Sequence, residues 1–196
     1  MVRRSAILLA AAWLTACGGE AISYEDEIAA WRMEKDRYMR SSDSPVPPAE
    51  RDTFAPLPYF PVSPDFRVPA GLKVVETDEV IELPLSTGQR RKMRRIGRLE
   101  FTLQGQAYTL TAFTDAGNPD MRRLFVPFGD LTNGAETYPG GRYLELDRTA
   151  TGIYDLDFNR AYHPFCVFNP SYECPLPPRE NRLSVAIRAG EKLAAP

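Results

Sequence analysis

The stretch GRLEFTLQGQAYTLTAF, residues 97–113, alternates apolar and polar side chains on both sides of Gln104, Gly105 and Gln106. A period of two gathers the apolar residues on one face of an extended chain, and a glycine-centred break between two such runs folds them back as a hairpin. Wound as a helix, the same residues would scatter around the axis, so the segment commits the chain to a sheet with one buried face. LKVVE, EVIELPL, RLFVPF, GRYLEL, TGIYDLDF and RLSVAIRA repeat the pattern. About eight short strands at this spacing predict a mainly β fold, an antiparallel sheet curled into a barrel or folded as a sandwich.

Ahead of the strands, AISYEDEIAAWRMEKDRYMR has Ser23 as an N-cap, acids in its first turn, and Ile28, Trp31, Lys35 and Tyr38 at helical spacing. It predicts one N-terminal amphipathic helix. Many of the 18 prolines follow in SSDSPVPPAERDTFAPLPYFPVSPDFRVPAG. They exclude regular helix there, while Phe54, Leu57, Tyr59, Phe60 and Phe66 are too apolar for a free linker. The expectation is an extended Pro-rich strap packed over the domain.

The first sixteen residues carry Arg3 and Arg4, then the apolar run Ala6 to Leu14, the charge and length of a secretory signal. The run is shorter than the ~20 residues a bilayer span needs. It closes on Leu14, Thr15, Ala16 and Cys17, which resembles the lipobox of bacterial lipoproteins. That resemblance implies cleavage before Cys17, a thioether-linked diacylglycerol on its sulfur and an acylated amine, enough chains for stable attachment to a membrane. Residues 1–16 are then a signal peptide, 17–24 a lipid-anchored tether, and 25–192 a single β-rich domain. Gly18 in place of Asp after the cysteine implies passage to the outer membrane of a Gram-negative envelope, with the domain on its periplasmic face. Cleavage removes two arginines from a chain of net charge −2, so the mature balance is acidic and gives no reason to expect nucleic acid. The basic run QRRKMRRIGR, residues 89–98, reads as a solvated hairpin arm or as a patch for phosphate-bearing head groups.

Chemistry-bearing residues concentrate in two places. In ETYPGGRY, Pro139, Gly140 and Gly141 bend the chain and set Tyr138 and Arg142 at the mouth of a strand, where an arginine can hold a carboxylate or phosphate by two parallel bonds. The plainer reading pairs Arg142 with Glu136 or Asp157 to pin two strands. DLTNG just before it, Asp130 to Gly134, reads as an Asx-type hairpin turn. In LDFNRAY, alternation turns Asp157 and Asn159 to the same face. With Tyr162 beside them, and Glu180 and Asn181 entering the last segment, they have the equipment of a small polar-ligand pocket. His163, Cys166 and Cys174 admit three arrangements: a zinc site, a cysteine nucleophile, or a disulfide. The zinc site lacks a close C-x-x-C pair and a fourth ligand. The nucleophile is an exported thiol with a second cysteine eight residues on, so the Cys166–Cys174 disulfide is the expectation, worth ~2.5 kcal/mol by loop entropy.

FVPFGDLTNGAETYPGGRYLEL, LDFNRAYHPFCVFNPSYECPLPPRENRL and the closing AGEK together resemble the domain-of-unknown-function 1684 family of bacterial and archaeal proteins, over about residue 25 to Lys192. The family pattern has Asn where His163 stands, so a mechanism resting on that histidine is not general to it. The resemblance implies no activity, and neither a cofactor nor a protein partner is indicated. The combined expectation is a lipid-anchored envelope protein holding a small polar or anionic ligand in a cleft near Arg142 and Asp157. Glu136, Tyr138, Asn159, Tyr162 and Asn181 complete that site, and no metal takes part. The alternatives are a hydrolase of an envelope substrate, with Asp157 or Glu136 as acid or base, and a structural envelope factor without a small ligand.

Overall fold

The computed structural model describes residues 22–75, 79–117, 119 and 122–194; the signal segment and Cys17 lie outside them. Helix α1 spans Tyr24–Met39. The Ser23 hydroxyl accepts the Asp26 amide at 3.1 Å, and Glu25, Asp26 and Glu27 occupy the positive end of the helix, as capping and dipole arguments require. Among the described residues no helix is long and apolar enough to cross a membrane.

The strap follows as extended chain with short 3-10 turns at Pro48–Thr53 and Pro64–Phe66. It buries Val46, Leu57, Phe60 and Phe66. Met39, Val46 and Leu57 form a small satellite core beside the main one.

Seven strands then make one antiparallel sheet: β1 Arg67–Val74, β2 Val80–Pro84, β3 Arg90–Leu103, β4 Gln106–Asp115, β5 Arg123–Phe128, β6 Arg142–Asp147 and β7 Ile153–Asp157. Their order is β6-β5-β4-β3-β1-β7, with β2 extending the far end of β3. The sheet curls almost into a barrel whose interior holds Leu99, Phe101, Leu110, Leu124, Val126, Phe128, Leu144, Leu156 and Phe158. A barrel without β6–β7 pairing keeps two edges, and these face one another along an open seam. On the edge away from β4, strand β3 serves two partners, one on each side of the bulge between Arg95 and Gly97 in its pairing with β4. Below it β3 pairs β1, and above it β3 forms with β2 a hairpin arm that carries the basic run. Gly97 is required there, since a Cβ would stand 2.5 Å from the Lys73 carbonyl oxygen. On the outer face, Leu83, Met93 and Phe113 make a third apolar cluster.

One expected strand is absent. Residues 182–189 make only a short parallel contact with the chain after β5, through Leu183 N–H to the Gly129 carbonyl at 2.8 Å and Leu131 N–H to the Val185 carbonyl at 3.2 Å, and beyond it Arg142 and Asp130 bind the backbone at residue 187 and Arg142 takes the Ala189 carbonyl. Isolated alternation cannot distinguish a strand from an extended chain held by side chains.

Candidate functional site

Arg142 does not stand at a cleft mouth. The turn that precedes it closes through Gly141 N–H to the Tyr138 carbonyl at 3.0 Å, with Gly141 at φ +88°. A Cβ at Gly141 would lie 2.5 Å from the Phe128 carbonyl oxygen, so only glycine lets the turn pack this closely. Arg142 then shares the inward face of β6 with Leu144 and Leu146 and is 0 % exposed. Its guanidinium donates to the carbonyls of Ile187 at 2.6 Å, Glu191 at 3.0 Å and Ala189, and to Asp130 Oδ2 at 3.0 Å. Asp130 is held in the expected Asx turn, its Oδ1 accepting the amides of Thr132 at 2.9 Å and Ile187 at 3.1 Å. Burial lowers the arginine's pKa, an effect that Asp130 opposes. The cluster is a buried clasp on the C-terminal segment.

Asp157 occupies the outward parity of β7, opposite to Leu156 and Tyr154 in the core. Arg142 and Asp157 therefore point to opposite faces of the sheet, and the expected shared site near both does not form. The cause is register: each residue is out of phase with the other relative to its own strand's buried set. Glu136 lies apart as well, paired with Arg188 at 2.9 Å. Asn181 is buried, accepting the Thr111 amide at 2.7 Å and donating to the carbonyls of Thr111 at 2.9 Å and Pro127 at 2.7 Å. Its carboxamide splints β4 to β5, which among the described residues pair at Phe113 and Phe125. Tyr138 belongs to the sulfur-bearing loop, its amide donating to His163 Nε2 at 3.3 Å.

Asp157, Asn159 and Tyr162 do lie together, along the seam. Asp157 Oδ1 accepts Tyr24 O–H and the Asn159 amide, both at 2.9 Å. Asn159 donates to Tyr24 Oη at 2.9 Å and the Ser63 carbonyl at 2.8 Å, and its Oδ1 accepts the Ser63 amide at 3.0 Å. These bonds dock the start of α1 and the strap against the end of β7. Burial, then Asp157, raises the Tyr24 hydroxyl's pKa. Tyr162 donates to Glu145 Oε1 at 3.0 Å.

Between the facing edges of β6 and β7 lies a groove of about 770 Å³, lined by Asp157 and Tyr162 together with Trp31, Lys35, Arg123 and Arg160. Lys35 Nζ stands 4.1 Å from the centroid of the Tyr162 ring and 3.5 Å from buried Glu191 Oε1. Arg160 lies 5.7 Å from the Trp31 ring centroid. Trp31 and Lys35 showed in the sequence only as a helical stripe, and Arg160 and Glu191 gave no signal at all apart from the family motifs that contain them. A second recess of about 560 Å³ opens on the outer face of β3–β6, walled by Phe165, Tyr172 and Cys174, and it shares Tyr162, Glu145 and Arg123 with the groove.

Cys166 and Cys174 are free thiols in this structure, in place of the expected disulfide. Cys166 donates its backbone amide to Cys174 Sγ at 3.1 Å, and its own thiol points to Tyr138 Oη at 3.9 Å. Burial, then Cys166, pushes the Cys174 thiol up to about 12. His163 Nε2 is occupied by the Tyr138 amide, and burial pushes the imidazole down to about 3, so it is neutral. Its backbone amide donates to Glu191 Oε2 at 2.7 Å. Among the described residues no three His, Cys, Asp or Glu are grouped to hold a metal ion.

Fold and seam define a class: a small antiparallel β-barrel left open between its edge strands, with a helix and a strap docked across its end. The chain belongs to the family described as Protein of unknown function (DUF1684), which matches residues 52–192. It is similar to the solution NMR structure of an uncharacterised protein of Haloarcula marismortui, at 42% identity and TM-score 0.68, over 87% of this chain and 94% of that one. No curated protein matches it.

Proposed function

We propose that this chain is a binding module of the cell envelope, anchored by lipid at Cys17, that holds a small polar ligand in the groove between β6 and β7. The observation that carries the reading is the lining itself. Asp157 and Tyr162, singled out by sequence for their chemistry, border one concavity closed on another side by Trp31 and Lys35 from α1. An apolar wall with a few convergent polar groups is the usual make-up of a ligand pocket. Four lining carboxylates stand against three lining cations, and Arg67 pairs Asp155 from outside the lining, so the charges nearly balance and the groove suits a polar group. Asp157 is engaged by Tyr24 and Asn159, and Glu136 by Arg188, so neither is poised as the acid or base of a hydrolase. On the periplasmic face of an outer membrane, the free thiols of Cys166 and Cys174 would meet an oxidising compartment and close into a disulfide. Unreduced alkylation followed by peptide mass analysis decides that point.

The groove carries its own probe. The sequence contains Trp13 and Trp31 alone, so once the signal peptide is removed the emission of the mature protein comes from the groove wall. Native mass spectrometry should find a small molecule retained by the purified mature protein, and adding that molecule back to ligand-free protein should shift Trp31 emission. A protein that retains nothing, with an emission unmoved by a panel of small amines, carboxylates and phosphates, overturns the reading.

A further inference from the structure

The backbone around the groove identifies the class of its ligand, an inference that rests on the groove reading above. Strands β6 and β7 are the two edges of the sheet. On β6, Tyr143 exchanges both backbone bonds with Tyr162, at 2.9 and 3.1 Å, while the Arg148 amide turns back to the Arg122 carbonyl. Backbone direction alternates along a strand, so the N–H and C=O groups of Glu145 and Asp147 point away from β5 and into the gap. On β7, the bond from the Leu72 amide to the Gly152 carbonyl at 2.8 Å fixes the same alternation. It turns Tyr154 and Leu156 toward β1 and the backbone of Asp155 toward the gap. Among the described residues these gap-facing backbone groups have no ladder partner.

We infer that the seam takes an extended peptide segment, which adds antiparallel to the free edge of β6. The Tyr143–Tyr162 bridge already begins such a ladder in antiparallel sense, and the segment continues its line past Glu145 and Asp147. Leu144–Asp147 offers four residues of edge, ~13 Å at the rise of a strand. Directly opposed residues share a face, so segment residues paired with Glu145 and Asp147 turn outward. There they meet the Glu145 and Asp147 carboxylates, which also face Arg123 at 2.8 and 3.6 Å, while across the seam Asp155 is paired with Arg67 at 2.6 Å. The intervening residues turn inward over Leu144, Leu146 and Tyr154. The ligand is thus a short stretch of alternating polar and apolar residues, recognised by backbone bonds along one edge, with lysine an outward residue able to join the exposed Asp147 carboxylate.

The probe is acetyl-Val-Lys-Val-Lys-Val-amide added to the mature protein, read by Trp31 emission and by amide hydrogen exchange in NMR. Binding should slow exchange at the Glu145 and Asp147 amides. The lysines must be the residues whose N–H groups reach β6, so N-methylation of both lysines removes two edge hydrogen bonds and should weaken binding about tenfold or more. N-methylation of the valines should leave the protection at Glu145 and Asp147 in place. Equal binding of the two methylated peptides, or a shift in Trp31 emission without protection at Glu145 and Asp147, overturns the peptide assignment. If lysine amide or another small amine moves Trp31 while the peptides protect neither amide, the groove binds ligands but not strands. Silence of Trp31 toward every probe removes both readings.

Discussion

Replacing Arg142 measures how much of this fold hangs on a single buried cation. The guanidinium satisfies three main-chain carbonyls and the Asp130 carboxylate without contact to solvent. In Arg142→Met the hydrophobic volume is kept, but Asp130 is left buried and uncompensated, a loss of about 3–5 kcal/mol for breaking a buried pair from one side. The orphaned carbonyls add to this without full additivity, each costing about 1–3 kcal/mol in isolation. Arg142→Lys keeps the charge but replaces a planar fork by a point that reaches only some of the four acceptors, so about 2–3 kcal/mol should be lost. Against a total stability of about 5–15 kcal/mol, the methionine variant should be marginally folded and the lysine variant clearly weakened. Urea unfolding of the mature protein reads both, and hydrogen exchange at the Ile187 amide, which bonds to Asp130 Oδ1, reports whether the C-terminal segment has come loose. Asp130→Asn completes a double-mutant cycle whose coupling should be about 1–3 kcal/mol. A loss below about 1 kcal/mol for Arg142→Met, with Ile187 still protected, would refute the clasp.

His163, the single histidine of the chain, should show an imidazole resonance that does not titrate between pH 5 and 8, and a midpoint near its ordinary value would contradict the buried neutral ring. Its folded pKa is the lowered one, so as pH falls from about 6.5 toward 3 the unfolded chain takes up a proton that the native one refuses. This group alone then removes about 1.4 kcal/mol per pH unit across that window. In reduced protein, iodoacetamide should label Cys166 well before Cys174, whose thiol is buried and pushed up to about 12; equal rates in native protein would show the loop to be open. Cys17→Ser should move the protein from the membrane to the soluble fraction, and unchanged fractionation without lipid on the N-terminal peptide would end the anchor proposal.

Much of the architecture was legible because it depends on local periodicity. The alternation in residues 97–113 is hairpin β3–β4, Ser23 caps α1, and of the apolar members of the Pro-rich segment Leu57, Phe60 and Phe66 are buried and Phe54 and Tyr59 half-buried, as an extended strap would put them. Residues 182–189 show the limit of that logic. Their alternation is real, yet the chain there pairs only briefly with Gly129 and Leu131 and is held further on by the side chains of Arg142 and Asp130.

Sequence by itself determined which residues face together within one strand: Asp157 against Leu156, Arg142 with Leu144. It determined the turns as well, since Gly134 and Gly141 take the positive φ that their motifs demand. Only the tertiary structure decided which faces of different strands meet. Arg142 and Asp157 lie on strands at the two ends of the sheet order, and whether they share a side depends on the registers of every pairing between them, which no local pattern encodes. The same holds for the seam. That the curl stops short of closure, leaving the backbone of Glu145, Asp147 and Asp155 facing a gap beneath Trp31, follows from the summed twist and pairing of seven strands, a quantity belonging to the sheet and to no segment of the chain.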